Sequence, residues 1–419
     1  MRLVATAALV LALARPAAAA DSCVDCHKQL DNPVQVEGMK ADVHTKAGLS
    51  CAGCHGGDPT DPDVSAMDEA KGFVGKPGAA RIPALCGGCH GDESYMRRFN
   101  PNLPTDQLAQ YDTSVHGRRA AGGDAKVATC VSCHGVHGIL PPNDARSPVH
   151  PANVAKTCAH CHADATYMAD YHVPTDQFLK YQRSVHGWML LVQLDTSAPT
   201  CNDCHGNHGA FPPGATSVDA VCGQCHPVNR DFFVASPHKA AFDRQGLPEC
   251  VVCHGNHGVL RTNDDMLGTG DVSVCVGCHR ADSKGWAAAG QMRGAIDRLR
   301  GAIDGAQQAV MRANAAGMEV SEAEFSLQGA REALVQARNQ VHTSDAAAVE
   351  KVVGAGADTA AAVERTAQAA LVELASRRWL AILPLAMIAI VAGLLYWKVR
   401  TLDSNPASAA PSAERKEDR

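Results

Sequence analysis

All 18 cysteines of this 419-residue chain fall into one pattern, Cys-x-x-Cys-His, repeated nine times. The copies are Cys23, Cys26 and His27; Cys51, Cys54 and His55; Cys86, Cys89 and His90; Cys130, Cys133 and His134; Cys158, Cys161 and His162; Cys201, Cys204 and His205; Cys222, Cys225 and His226; Cys250, Cys253 and His254; and Cys275, Cys278 and His279. This is the c-type haem attachment pattern. The two thiols take up the haem vinyl groups as thioethers, and the histidine reaches the iron as the proximal ligand. Other uses of paired cysteines fit less well. A structural zinc site closes a tetrahedron with a second ligand pair at a set distance. A thioredoxin-like pair occurs once, beside a βαβ pattern. A disulfide framework does not ask for a histidine after every pair. The expected cofactors are therefore nine covalently bound haem c groups.

Composition agrees. Aromatic residues are only 4% of the chain, while it carries 37 glycines and 22 prolines. Such a sequence has a poor apolar core of its own, and haem faces can supply the missing area, because apolar burial scales with area whatever group provides it. The net charge is -6 before any haem propionate is counted. That balance, without a basic stripe, argues against nucleic acid as a partner.

Both ends speak of a membrane. Arg2, the apolar stretch Leu3 to Leu13 and Ala18-Ala19-Ala20 form an expected signal peptide over 1–20. Trp379 to Trp397 holds no charged residue and is long enough for a transmembrane helix, expected over 377–399. Trp379 at one edge and Tyr396 with Trp397 at the other suit an aromatic belt. Pro384 then falls in the first turns of the span, where a missing amide costs little. Lys398, Arg400, Arg415, Lys416 and Arg419 place residues 400–419 on the cytoplasmic side, as a disordered tail. The haem module would then face the periplasm from a bacterial inner membrane.

Between the ends, the motifs come in repeats. Ser114-Val115-His116-Gly117 precedes Cys130–His134-Gly135-Val136-His137-Gly138 and then Cys158–His162. Ser184-Val185-His186-Gly187 precedes Cys201–His205-Gly206-Asn207-His208-Gly209 and then Cys222–His226. Ser236-Pro237-His238 precedes Cys250–His254-Gly255-Asn256-His257-Gly258 and then Cys275–His279. A degenerate first repeat has His44, Cys51–His55-Gly56 and Cys86–His90, and the motif at Cys23 stands outside. Thr-Asp-Gln at 105–107 and 175–177 reads as a capped helix start. The haem module is expected over 21–283. Residues 284–376 lack Cys and Pro. Their apolar seams, such as Met292, Ile296, Leu299 and Ile303, step by three and four. Leu327, Ala330, Leu334 and Ala337 form a second seam, and Val349, Val353, Gly356 and Ala360 a third. This spacing predicts three long helices with breaks near Gly317 and Ser344, packed as an antiparallel bundle. The fold class is thus mainly α with much irregular structure: a haem-packed module, a three-helix bundle and one C-terminal transmembrane helix.

Eleven histidines remain once the proximal nine of the 20 are set aside. His342 lies in the helical region and reads as a surface residue. His44, His116, His137, His150, His172, His186, His208, His238 and His257 are the candidate distal ligands, with His160 open between a neighbouring iron and solvent. In each repeat the upstream histidine and the one in Gly-x-His-Gly would cap the two haems of a pair, though spacing does not say which caps which. Met67, Met96, Met168, Met189 and Met266 are weaker alternatives, since thioethers more often fill core gaps. Two imidazoles leave no open position on iron, so such sites carry electrons.

The Cys-x-x-Cys-His series, with Ser-x-His upstream and Cys-His-Gly-x-His-Gly, resembles the bis-histidine multihaem cytochromes c of anaerobically respiring bacteria over roughly residues 21–280. The resemblance implies electron relay between a quinol-oxidising membrane subunit, such as a b-type cytochrome, and periplasmic redox partners. The familiar quinol dehydrogenases carry an N-terminal anchor and fewer haems, unlike this chain. A second resemblance, to pentahaem nitrite reductases and octahaem hydroxylamine oxidoreductases, rests on long helices after the last haem. It implies one five-coordinate haem that reduces or oxidises small nitrogen or sulfur compounds, expected in the degenerate repeat around Cys51 and Cys86. An electron carrier, or an electron-transfer subunit, is favoured over a stand-alone enzyme.

Overall fold

A computed structural model describes residues 21–31, 33–212 and 217–403. The expected signal peptide at 1–20 and the tail from 404 onward lie outside them. The described residues are mainly helical and contain no strand. The chain divides into two compact units: one runs up to Cys225 and takes in Gly246–Arg261, the other comprises His226–Gln245 and Thr262–Arg419. Cys275 to His279 belongs with the long helices, and so do the short helices Pro227–Ala235 and Pro237–Gln245.

The first unit is built from short helices and turns. Apolar burial there is sparse: Ala66, Met96, Ala155, Met168, Leu190 and Ala198. Met96 and Met168 are thus packing residues, while Met67 is exposed. Buried polar groups hold the helix starts instead. At Cys130–His134 and Cys201–His205 the Thr129 and Thr200 amides donate to the Ser132 hydroxyl at 3.0 Å and the Asp203 carboxylate at 2.7 Å. The Thr-Asp-Gln stretches do begin helices, Gln107–Thr113 and Gln177–Arg183, but neither Asp106 nor Asp176 makes a capping bond. Asp106 accepts from Gln110 and Asp176 pairs with Lys180, so the acids bind the following turn's side chains.

In the second unit Lys284–Ala315, Ser321–Gln340 and Ala346–Asp403 are continuous helices. Met292, Ile296, Leu299, Ile303, Ala306 and Val310 share one buried core with Leu327, Ala330, Ala337, Val349, Val353, Ala360, Val363 and Ala367. Gly356 is needed at one crossing: a Cβ there would lie 2.7 Å from that of Ala333 and 3.0 Å from a Leu299 methyl. Ser283 caps the first helix, and Asp345 accepts from Ala347 and Ala348 at the start of the third. Asp264 ties the preceding loop to two of the helices, meeting Arg338 Nε at 2.8 Å and Arg300 Nη1 at 3.2 Å. Arg338 holds the Asp264 carboxyl below its ordinary range.

The third helix continues into the apolar span without a break at 377, as its sequence leads one to expect, and runs past 399 to Asp403. Pro384 is therefore an interior residue, not a first-turn one. It removes one ladder bond and crowds the carbonyl four residues back, the usual cause of a local bend. From Trp379 onward its large apolar side chains are exposed, and this is the one described helix long and apolar enough to cross a membrane.

Candidate haem-binding sites

Cys-x-x-Cys-His is one helical turn. Residues three and four apart share a helix face, so two thiols and a histidine present together. The motifs occupy Ser22–His27, Ala52–His55, Ile82–His90, Cys130–His134, Pro151–His162, Cys201–His205 and Cys250–His254. Cys222 lies in Val218–Gly223 and Cys275 in the short turn Val274–Gly277, with their histidines just beyond. Gly135, Gly206 and Gly255 follow their histidines with φ of 78°, 77° and 73°, a backbone that ends the helix at once and that side chains resist. The need for this first glycine of Cys-His-Gly is thus conformational.

The upstream histidines sit at the starts of their own helices, Val43–Lys46, Val115–Ala121, Val185–Leu191 and Pro237–Gln245. Ser114 accepts from Gly117 N at 2.9 Å and donates to Tyr111 O at 2.6 Å, and Ser184 does the same with Gly187 and Tyr181. A Cβ on Gly117 or Gly187 would lie 1.9 Å from that carbonyl oxygen, which explains glycine after these histidines. Three of these four starts are clamped to a Gly-x-His-Gly segment. Val43 N donates to Ile139 O at 2.9 Å, Val115 N to Ala210 O at 3.2 Å and Val185 N to Val259 O at 2.8 Å.

Six pairs of imidazoles lie opposite one another. His44 meets His90 with ring centres 5.9 Å apart, His116 meets His162 at 6.1 Å and His238 meets His279 at 5.9 Å. His137 meets His55 at 5.8 Å, His208 meets His134 at 6.1 Å and His257 meets His205 at 5.9 Å. The rule differs from a simple pairing within repeats. The upstream histidine faces the second motif of its own repeat, whereas the Gly-x-His-Gly histidine reaches back to the first motif of the repeat before. The two classes also differ in ring geometry. Upstream pairs cross at 86°, 60° and 57°. Gly-x-His-Gly pairs lie at 23°, 7° and 7°.

The spacing suits an iron between the rings. Two imidazole nitrogens bound at about 2.0 Å each place ring centres about 6 Å apart. The rings are also chemically ready. Burial, reinforced by the facing imidazole, holds His90, His116, His137, His238 and His257 below the ordinary histidine range, and burial with His205 does the same at His162. His134 and His208 are lowered by burial as well. A neutral ring is the form that binds metal. Thiols of successive repeats also lie together. Cys130 pushes Cys86 upward and is itself drawn down to about 7 by Cys86. Cys158 and Cys201 behave alike, with Cys201 also near 7. Attachment points of neighbouring repeats are therefore adjacent.

The remaining histidines are placed differently. His186 occupies the same helix position as His116. His150 starts the helix Pro151–His162, its Nδ1 accepting from Ala152 N at 3.2 Å. A neutral ring in that role carries its proton on Nε2. His160 and His172 are exposed, and His172 has a left-handed backbone. Among the described residues no second imidazole ring lies against His27, His160 or His172. His342, read as a surface residue, is half-buried with Nδ1 against Asn339 O. The degenerate repeat, where an open iron was expected, brings a second imidazole to both His55 and His90. The clamps themselves join backbone groups distant in sequence, and no residue pattern announces them. Asp42 was also missed, although it stands where the later repeats have serine.

Residues 43–163 match the family model of cytochrome c3, and residues 143–227 match that of cytochrome c7 and related cytochrome c. The cytochrome c-type protein NrfB of Escherichia coli is 25% identical over 170 residues, which cover 38% of this chain and 74% of that protein. No solved structure matches the chain. These findings support a multihaem c-type cytochrome with covalently bound haem c.

Proposed function

We propose that this chain is a membrane-anchored electron carrier in which each of the nine Cys-x-x-Cys-His motifs holds one haem c. Bound haem supplies a one-electron iron couple. The chain supplies the thioether links, the axial imidazoles and the packing that keeps neighbouring groups close. The carrying observation is the set of six imidazole pairs at 5.8–6.1 Å. An iron held on both faces has no vacant position for substrate, so such sites pass electrons. The matches to cytochrome c3, cytochrome c7 and NrfB support electron transfer of the kind used in anaerobic respiration.

In this reading residues 284–376 form an antiparallel three-helix bundle, and the apolar end of Ala346–Asp403 anchors it in a bacterial inner membrane. The haem-bearing segments face the periplasm, and the basic tail faces the cytoplasm. A quinol-oxidising membrane subunit, such as a b-type cytochrome, feeds the chain, and periplasmic redox proteins drain it. The His238–His279 pair bears on the route. Ser344 Oγ lies 2.8 Å from His238 Nδ1, which places this pair at the start of the third long helix. The helix residues from there to Arg377 span about 45 Å at about 1.5 Å per residue. The iron of this pair therefore exchanges electrons with other haems or extramembrane partners, not with quinol in the bilayer.

The reading is tested on purified full-length holoprotein by haem assay and electron paramagnetic resonance. Nine haems are expected, with low-spin signals dominant. His208→Ala should convert one haem to high-spin, and it should be the haem attached at Cys130 and Cys133. Haem bound without thioether links, or a predominantly high-spin spectrum, would overturn the proposal.

A further inference from the structure

The four upstream histidines share one backbone frame, but their neighbour two residues before is not constant. It is serine at Ser114, Ser184 and Ser236 and aspartate at Asp42. Ser114 and Ser184 spend their hydroxyls on backbone groups, Tyr111 O with Gly117 N and Tyr181 O with Gly187 N. Ser236 does likewise with Phe233 O and His238 N. Asp42 reaches further. Its Oδ1 accepts from His44 N at 2.8 Å and lies 3.0 Å from His44 Nδ1, while Oδ2 accepts from Ile139 N at 2.7 Å. The Asp42 side chain is 6% exposed. Other imidazoles of the paired set meet neutral groups at Nδ1: Gly75 O at His55, Phe211 O at His205 and Ser344 Oγ at His238.

We propose that Asp42 is a positioning residue for the haem held by Cys86, Cys89 and His90, and that through His44 it lowers that haem's reduction potential below what serine at this position would give. The inference rests on reading His44 as the second ligand of that iron. An imidazole that donates Nδ1–H to a carboxylate becomes the more basic ligand. The charge it gains favours Fe(III) over Fe(II), so the one-electron reduction becomes harder. A buried negative charge acts in the same direction, because little solvent screens it. Burial also fixes the geometry: the helix cap, the imidazole and the His137-Gly138-Ile139 segment all hang on one side chain. The same charge is felt at His137 and Cys54, which serve the neighbouring site. That site shifts in the same direction and by less.

The experiment compares wild type, Asp42→Ser, Asp42→Asn, Asp42→Glu and His44→Ala as full-length holoproteins. Each is reduced stepwise by dithionite with mediators and followed by visible and electron paramagnetic resonance spectra. Serine keeps a helix cap, as it does in the other repeats, and the Val43 N to Ile139 O bond does not involve the side chain, so Asp42→Ser removes the carboxylate and its bond to Ile139 N while leaving the helix start and that clamp in place. In Asp42→Ser and Asp42→Asn one haem should become easier to reduce by about tenfold in its equilibrium, 59 mV for a one-electron couple. Every haem that was low-spin should remain so, and Asp42→Glu should restore most of the wild-type value. The component that moves should be the one that His44→Ala turns high-spin. Titrations of Asp42→Ser and Asp42→Asn that superimpose on wild type overturn the proposal. A high-spin haem in Asp42→Ser also overturns it, because Asp42 would then be required for ligation itself. His44→Ala with every haem still low-spin would instead overturn the ligand reading beneath it.

Discussion

The three long helices and the haem-bearing segments reach order by different means. In the helices Ile296, Leu299, Val310, Leu327, Val349 and Val353 are almost fully buried in one continuous cluster. In the first compact unit the largest fully buried groups are Leu190, Ser114, Ser147, Ser184 and Asp219, mostly polar. Side-chain burial can stabilise the long helices at about 25 cal/mol per Å² of apolar surface. In the first compact unit it cannot, because little such surface is enclosed by protein alone. That unit is ordered by caps and clamps, and on the proposed reading by the flat apolar faces of bound haem. A chain can thus hold one part together from its own side chains and another through what is covalently attached to it.

The comparison breaks most visibly if haem attachment is blocked. Chain made without haem attachment should lose protease resistance over residues 21–225, while the 284–376 segment persists as a protected helical fragment. Equal resistance in both regions would erase the distinction. Within the helices, Leu299→Ala should cost about 2–5 kcal/mol, since a buried leucine leaves a cavity. Thermal melting of the helical circular dichroism should show it, with the haem spectrum unchanged. In the haem-bearing region Gly117→Ala should cost about 1–3 kcal/mol through forced displacement of the Tyr111 carbonyl. It should also perturb ligation by His116, read as a new high-spin signal or a shifted haem band. The smallest effect belongs to the exposed pair Arg298 and Glu350. Arg298→Ala should change stability by under about 1 kcal/mol, because solvent screens such pairs; a larger loss would mean that the helices depend on surface charge.

Much of the helical region was legible in advance. The seam Met292, Ile296, Leu299, Ile303, Ala306 and Val310 is buried along its full length, because a helix of regular period leaves its apolar stripe one place to go. The breaks near Gly317 and Ser344 also fall where expected, with Asp345 as the cap. Pro384 was misplaced because nothing local says where a helix that begins at Ala346 must stop. Asp106 and Asp176 suited a cap by type, yet lysine and glutamine one turn on offered closer partners.

The grouping of each thiol pair with its histidine was legible in the chain, since residues within one helical turn must lie together whatever surrounds them. The supply of further imidazoles could be counted there too. Their partners could not. That His208 turns back to His134, or His257 to His205, depends on clamps such as Val115 N to Ala210 O between segments far apart in the chain. Local spacing carries no information about such meetings, because the covalent chain limits how far two residues can be and not whom they face. Asp42 shows the same boundary: its identity is visible in the letters, and its reach to both His44 and Ile139 exists only once three distant stretches have packed around it.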